Sequence, residues 1–232
     1  RPETLSAYQR RFNDEQITVL NLPAPFWAEW VAALSDGEDP LPPCLRLVVV
    51  GSERVSSAAL RQWQARAGHS IRLLNAYGPT EATITSTLFD ASAVQPEGEL
   101  VPIGRAIAGM RAYVLDGNGE LCPIGVPGEI HLGGGGLARG YLNRPELTAE
   151  CFIPDPHGDE AGARLYRTGD KARYLANGHL EFIGRLDHQV KLRGYRIELG
   201  EIESVLMRHP QVTDAVVRLA EQQGGLIAYV AA

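Results

Sequence analysis

The 232-residue sequence has no hydrophobic run approaching the roughly 18 consecutive apolar residues that a membrane-spanning helix needs. Its start, Arg1-Pro2-Glu3-Thr4, carries no apolar signal segment and no methionine, so a piece of a longer chain is expected. Cysteine is scarce. Cys44, Cys122 and Cys151 are odd in number and far apart, which excludes a CxxC pair or a disulfide framework and points to the reducing cytoplasm. Basic tracts are absent, and 22 Lys and Arg against 28 Asp and Glu give a net charge of −6, which argues against a nucleic-acid partner. No membrane partner is expected either. The histidines (His69, His131, His157, His179, His188, His209) do not follow metal-ligand spacing. No serine sits in Gly-x-Ser-x-Gly, so a hydrolase triad has no support. The run Gly133-Gly134-Gly135-Gly136 lacks the Gly-Lys-Ser/Thr end of a phosphate-binding P-loop and reads better as a tight crossing that admits no Cβ.

What is present is ordinary globular composition, 44% hydrophobic and 22% charged, in three textures. Residues 1–16 read as polar and irregular, a broken helix at most. Gln16–Leu22 reads as a strand stopped by Pro23. Phe26, Trp27, Trp30, Val31 and Leu34 recur at helical spacing. After a loop over Ser35–Pro40, the near-continuous apolar run Leu45–Val50 predicts a buried parallel strand. Ser56 or Ser57 caps a helix to about Arg66, and Ile71–Leu74 is the next strand. Strand, helix, strand, helix, strand implies an α/β fold with a mostly parallel sheet. From about residue 100 to 186, short strands punctuated by Gly and Pro, with turns at Asp116–Gly119 and Ala176–Gly178, suggest a small antiparallel, barrel-like sheet. Pro145 starts a short helix. From residue 187, two short strands about Arg193-Gly194, an amphipathic helix over Glu198–Arg208 and two further strands suggest the start of a small α+β domain. The expected divisions are 1–100, 101–186 and 187–232.

Three stretches could carry chemistry. Asn75-Ala76-Tyr77-Gly78-Pro79-Thr80-Glu81 reads as a loop just beyond the C-terminal end of a strand, where open α/β sheets bind ligands. Its ring can stack on a base and its amide can bond an exocyclic amine. A hydroxyl beside a carboxylate can hold phosphate and Mg²⁺ together. The alternative is a capped turn with a packed Tyr, followed by a β-prone run over Ala82–Leu88. Tyr166-Arg167-Thr168-Gly169-Asp170 offers a carboxylate for a ribose diol, or is an ordinary turn. Gly184–Glu198 packs six charged groups at a change of texture, either a ligand-facing hinge or a solvated linker.

Taken in order, these stretches resemble the adenylation domains of nonribosomal peptide synthetases, which share a superfamily with acyl-CoA synthetases and luciferases. Asn75–Glu81 resembles the fifth core motif of that family, Gly128–Leu142 the sixth, Tyr166–Asp170 the seventh and Gly184–Glu203 the eighth. The form Gln189-Val190-Lys191-Leu192-Arg193-Gly194 looks like a peptide synthetase. The resemblance implies an enzyme that joins an amino acid to ATP and passes it to the phosphopantetheine thiol of a carrier domain, in antibiotic and secondary-metabolite synthesis. It implies a nucleotide site of Asn75, Ala76, Tyr77, Gly78, Thr80, Asp170 and Arg185. Tyr77 would stack on adenine, Asn75 would bond its amino group and Asp170 would hold the ribose. Glu81 would bind Mg²⁺ and Asp187 would be a hinge. A substrate pocket would take in Asn21, Val48, Val50, Ala76, Ile84 and Thr85, which favours a mid-sized uncharged amino acid. The parallel sheet would belong to the large adenylation subdomain, followed by a barrel-like subdomain and a C-terminal lid. Partners would include the rest of the adenylation domain, the carrier domain and a neighbouring condensation domain. The phosphate loop is expected upstream of Arg1 and the catalytic Lys beyond Ala232, so the chain alone is expected to be inactive. Gly51-Ser52-Glu53 departs from the commoner Gly-Gly-Glu, and Lys171 replaces a usual apolar residue. The rival expectations are a free-standing acyl or aryl acid ligase and a non-catalytic interaction module of the same fold.

Overall fold

Apolar residues at helical spacing build the first elements. Leu5, Tyr8 and Phe12 recur at three and four residues and form α1 (Leu5–Asp14), where an irregular start was expected. Arg10, Arg11 and Asp14 on the outer side make the segment read as polar. Helix α2 (Ala24–Asp36) buries Trp27, Trp30, Val31 and Leu34, and α3 (Ser57–Ala67) buries Leu60, Trp63 and Ala67. Ser56 caps α3, its Oγ accepting from the Ala59 N–H at 3.1 Å. The three indoles converge, with Trp63 centred 6.1 Å from Trp27 and 5.7 Å from Trp30. Phe12 meets Trp30 edge-on at 5.7 Å, and Trp30 Nε1 donates to Gln9 Oε1 at 2.7 Å, which fixes α1 to α2.

This computed structural model describes residues 5–36, 40–68, 70–92, 100–158, 160–187, 189–192, 195–220 and 225–232. Residues 37–39, His69, His188, Arg193 and Gly194 lie outside the described residues. Among those described, no helix is long and apolar enough to cross a membrane. The chain divides into two compact units, Arg1–Gly184 and Arg185–Ala232.

In the first unit, β1 (Val19–Pro23), β2 (Leu47–Gly51) and β3 (Arg72–Tyr77) pair in parallel. β4 (Thr87–Asp90) and β5 (Arg105–Ala106) extend the sheet antiparallel. The register aligns Leu20, Val48 and Leu73 in one row and Asn21, Val49 and Leu74 in the next. Successive side chains point to opposite faces, so Val48 and Val50 fall with Leu73 on the buried face, in the core with the tryptophans. Asn21 and Ala76 lie on the other face. The expectation that Val48 and Val50 line a pocket beside Asn21 and Ala76 is corrected by this pleat. A continuous apolar run has no alternation from which its inward face can be chosen.

The second sheet runs β10-β9-β7-β6, formed by β6 (Met110–Leu115), β7 (Gly128–Gly134), β9 (Arg164–Tyr174) and β10 (Leu180–Arg185). Pro145 does open a helix, α4 (Pro145–Cys151), and β8 (Phe152–Pro154) pairs with β9. Among the described residues the expected barrel-like part is a sheet with two ends. Position 100 is not a break between units. Ile103 N–H donates to Leu180 O at 2.8 Å and Leu180 N–H donates to Gly104 O at 2.7 Å, so this segment ties both sheets together. Gly104, at φ +86°, admits no side chain there, since a Cβ would lie 1.8 Å from Leu88 O.

The second unit holds the hairpin β11 (Gln189–Leu192) and β12 (Tyr195–Glu198), then α5 (Leu199–Leu206) and the antiparallel pair β13 (Asp214–Ala220) and β14 (Gly225–Ala231). Leu199 of α5 is buried, as are Ala215 and Val217, which alternate with exposed residues along β13.

Candidate functional site

β3 ends inside the first candidate stretch. Asn75, Ala76 and Tyr77 are strand residues, and the loop begins at Gly78. Thr80–Ala82 then form one 3₁₀ turn that presents exposed Thr80 and half-buried Glu81. The β-prone run does not continue as a strand. Thr83 and Ile84 both adopt left-handed backbone, at φ +56° and +67°, and pairing resumes only at Thr87. The reason is a fold-back over Gly78. Ser86 N–H donates to Tyr77 O at 2.8 Å and Ile84 N–H to Pro79 O at 3.1 Å. A Cβ on Gly78 would lie 2.6 Å from Ile84 O and 2.7 Å from Ser86 N. Left-handed backbone at a β-branched residue costs about 1–2 kcal/mol. Ile84 is 72% exposed, so no burial offsets that cost. The strain sits at the site itself.

Tyr77 and Asn75 face the buried side of the sheet. Tyr77 Oη donates to Asp170 Oδ2 at 2.6 Å, joining the first stretch to the second across 93 residues of sequence. The Tyr77 ring lies 6.3 Å from Phe182, whose other neighbour is the Arg54 guanidinium at 5.1 Å. Asn75 Nδ2 donates to Pro102 O at 2.8 Å, which ties β3 to the segment leading into β5.

The Thr168-Gly169-Asp170 sequence is not a turn but a bulge within β9. Glu129 pairs with Lys171 and His131 with Arg167, so Thr168, Gly169 and Asp170 together oppose Ile130 alone. Gly169 takes φ +69° to make the kink. Thr168 Oγ1 donates to Ile130 O at 2.7 Å and accepts from Asp170 N–H at 3.0 Å. Glu129 Oε1 accepts from Gly169 N–H at 3.0 Å, and its other oxygen lies 3.4 Å from the Arg167 guanidinium. The bulge therefore aims the buried Asp170 carboxylate at Tyr77. Beside it, His131 is buried, and that burial holds its imidazole below its ordinary pKa despite the charge of Glu129.

Glu81 is fixed from a third direction. The loop following β7 is sewn to the 3₁₀ turn: Ala138 N–H donates to Glu81 O at 2.8 Å, and Thr83 Oγ1 donates to Gly136 O at 2.6 Å. Tyr141 Oη donates to Glu81 Oε1 at 2.7 Å and lies 3.4 Å from Tyr166 Oη. Burial, then the bonds to Tyr166 and Glu81, push the Tyr141 phenol far above its ordinary range, so it stays a donor. Two of the four consecutive glycines serve close packing. A Cβ on Gly134 would lie 2.2 Å from Gly109 O, and one on Gly136 2.8 Å from Met110 Sδ.

In the second unit, Arg185 and Asp187 form a two-point pair, Nε to Oδ1 at 2.6 Å and Nη2 to Oδ2 at 2.5 Å. Partial burial pushes the Asp187 pKa up. The bonds and charge of Arg185, with the Gln189 N–H, outweigh this and hold it below the usual carboxylate range. Gln189 in turn bonds Glu198 and Arg196 across the hairpin.

The structure therefore brings Tyr77, Gly78, Thr80, Glu81 and Asp170 together in one unit. Asn21 and Ala76 share a face of the sheet, Ile84 and Thr85 lie in the fold-back, and Val48 and Val50 lie in the core. Sequence reasoning missed Tyr141, Glu129 and Thr168, which hold the acidic groups in place. The only signal was that each flanks a glycine or sits inside a motif. Among the described residues no group of three or more His, Cys, Asp or Glu is arranged to hold a metal. A cation here would use one protein carboxylate and oxygens from a ligand, which is the Mg²⁺–phosphate pattern, and Glu81 beside Thr80 fits it.

Comparison with known proteins shows the family. A family model described as AMP-binding enzyme matches residues 2–142. A linear gramicidin synthase polypeptide of Brevibacillus parabrevis is 54% identical over 82% of this chain, and tyrocidine synthase 3 of the same organism is 46% identical over 90% of it. This chain spans only 2% and 3% of those two proteins. A solved structure of PA1221, an NRPS protein containing adenylation and PCP domains, superposes with a TM-score of 0.85 at 32% identity, over 99% of this chain and 46% of that one. The chain belongs to the AMP-binding enzyme family, among the adenylation domains of nonribosomal peptide synthetases.

Proposed function

We propose that the chain forms the nucleotide-binding portion of an enzyme that activates an amino acid as aminoacyl-AMP and hands it to a carrier-domain thiol. The observation that carries this reading is the Tyr77–Asp170 bond, which sets a ring and a carboxylate side by side at the end of β3. In this reading the Tyr77 ring flanks adenine and Asp170 accepts from the ribose hydroxyls. The Asn75 Nδ2 is engaged by Pro102, so its Oδ1 is the atom that would accept from an exocyclic amine. Thr80 contacts phosphate and Glu81 holds Mg²⁺. Bound Mg²⁺ would offset charge on the phosphates during transfer.

Asn21, Ala76, Ile84 and Thr85 contribute to the amino-acid pocket. Arg185, held by Asp187, contributes to the nucleotide site, with Asp187 as the hinge. The residues after 187 act as the lid, and the carrier arm is phosphopantetheine. A carrier partner is supported by likeness to a protein that contains adenylation and PCP domains. A neighbouring condensation domain completes the assembly.

The test is amino-acid-dependent exchange of labelled pyrophosphate into ATP by the full-length protein, across the proteinogenic amino acids. Exchange that needs one mid-sized uncharged amino acid supports the reading. Exchange driven only by an aryl or fatty acid would replace it with an acid ligase, and no exchange with any acid would leave a binding module.

A further inference from the structure

Tyr141 belongs to none of the residues assigned above, yet it makes a direct side-chain contact to Glu81. Its hydroxyl donates to Glu81 Oε1 at 2.7 Å and it lies 60 residues away in sequence. Its own position is over-determined. Tyr141 N–H donates to Thr148 Oγ1 at 2.9 Å, and the Tyr141 ring meets Phe152 edge-on at 5.8 Å. Gly140, at φ +145°, lets Thr148 come this close, because a Cβ there would lie 2.3 Å from Thr148 Cγ2. The main chain is tied in parallel by the Ala138 N–H to Glu81 O bond. A loop that only closed a sheet would need neither bond.

We propose that Tyr141 is a positioning residue that holds Glu81 as a one-oxygen ligand and so tunes the site to Mg²⁺. This rests on the reading of Glu81 as the metal residue. Oε1 keeps a second lone pair, but the bond from Tyr141 fixes the direction of the carboxylate and so disfavours turning both oxygens onto one cation. Mg²⁺ demands near-octahedral geometry and accepts one oxygen from a carboxylate, whereas Ca²⁺ readily takes two. Releasing Glu81 should therefore weaken Mg²⁺ and favour the larger ion.

The experiment uses the full-length protein as wild type, Tyr141→Phe, Glu81→Gln and the double variant. Cation binding in the presence of a non-hydrolysable ATP analogue is read by calorimetry with Mg²⁺ and with Ca²⁺, and thermal melting is followed alongside. Tyr141→Phe keeps the ring against Phe152 and should melt close to wild type. It should raise the Mg²⁺ dissociation constant by about three- to tenfold, the scale of the net contribution of one ordinary hydrogen bond. It should also cut the preference for Mg²⁺ over Ca²⁺ by a similar factor. The double variant should bind no worse than Glu81→Gln, since Tyr141 acts through that carboxylate. If Glu81→Gln leaves Mg²⁺ binding unchanged, the metal reading of Glu81 fails. If Glu81→Gln weakens it but Tyr141→Phe shifts neither affinity nor preference, or if the two effects add in full, the positioning role is refuted. A large melting loss with Tyr141→Phe is resolved by Thr148→Val, which loosens Tyr141 from behind and should give the same change in ion preference; an unchanged preference there also refutes the role.

Discussion

Replacing Tyr77 with Phe removes one oxygen and keeps the ring, so it isolates the bond to Asp170. Tyr77 and Asp170 are 8% and 4% exposed, so water does little to replace the lost donor. A hydrogen bond to a charged group is worth about 1.5–3 kcal/mol, more than a neutral pair because the buried carboxylate has given up water to accept it. The ring still fills its place beside Phe182, so no cavity cost is added. In a unit spanning Arg1–Gly184, each kcal/mol lowers the melting temperature by about 2–4 °C, which gives a fall of about 4–8 °C for a loss near 2 kcal/mol. Asp170 would also lose its aim. Affinity for ATP should fall although the ring that flanks the base is intact. Calorimetric melting and ATP titration on the same samples give both numbers. A melt within about 1 °C of wild type, with unchanged ATP affinity, would mean that the bond contributes nothing and that the bulge alone sets Asp170.

Other perturbations test the supporting frame. Gly104→Ala forces a Cβ into Leu88 O and the Phe89 N–H region where the two sheets are joined; a cost above about 3 kcal/mol is expected, read as loss of soluble folded protein, and a wild-type melt would contradict it. Burial keeps the His131 pKa below 6.5, so the unfolded chain takes up a proton that the folded chain resists. The resulting stability is complete above pH 6.5 and declines as pH falls below it, and His131→Gln should flatten that part of the stability profile; an unchanged slope would refute the assignment. Asp187 is held below 3.8, so its contribution is present above that pH and is lost as pH falls through the lowered value. Asp187→Asn should speed hydrogen exchange at the Gln189 amide near neutral pH, with the difference from wild type vanishing in acid; equal exchange at neutral pH would show that the pair does not order the hairpin.

The parts of the fold that were legible in the sequence are those where one periodicity dominates. Helices α2 and α3, where Trp27, Trp30, Leu34 and Leu60, Trp63, Ala67 recur at three and four residues, fall where spacing places them, and so do the first three strands, except that β3 runs on through Tyr77. Ser56 as cap and Pro145 at a helix start also follow from local chemistry. Errors arise where tertiary contacts override local preference. Residues 82–86 are β-prone, yet the backbone of 84–86 is drawn over Gly78 and Ile84 is driven into left-handed backbone. Thr168-Gly169-Asp170 has turn composition, yet Glu129 and Ile130 hold it as a bulge inside a long strand. Val48 and Val50 lie in an unbroken apolar run, and only the register against Leu20 and Leu73 reveals which way they face. In the candidate site, Tyr77, Glu81 and Asp170 are singled out by the motifs that contain them, read with the family resemblance. Tyr141 and Glu129 could not be read the same way, because their role is to hold those groups and their partners are distant in sequence.

The measurement that tests the central claim most directly is equilibrium binding of ATP·Mg²⁺ to the full-length protein, compared with Asp170→Ala and Glu81→Ala. Asp170→Ala should weaken nucleotide binding with or without Mg²⁺, and Glu81→Ala should weaken it only when Mg²⁺ is present. Binding that is unchanged in both variants would contradict the assignment of this site as the nucleotide and metal site.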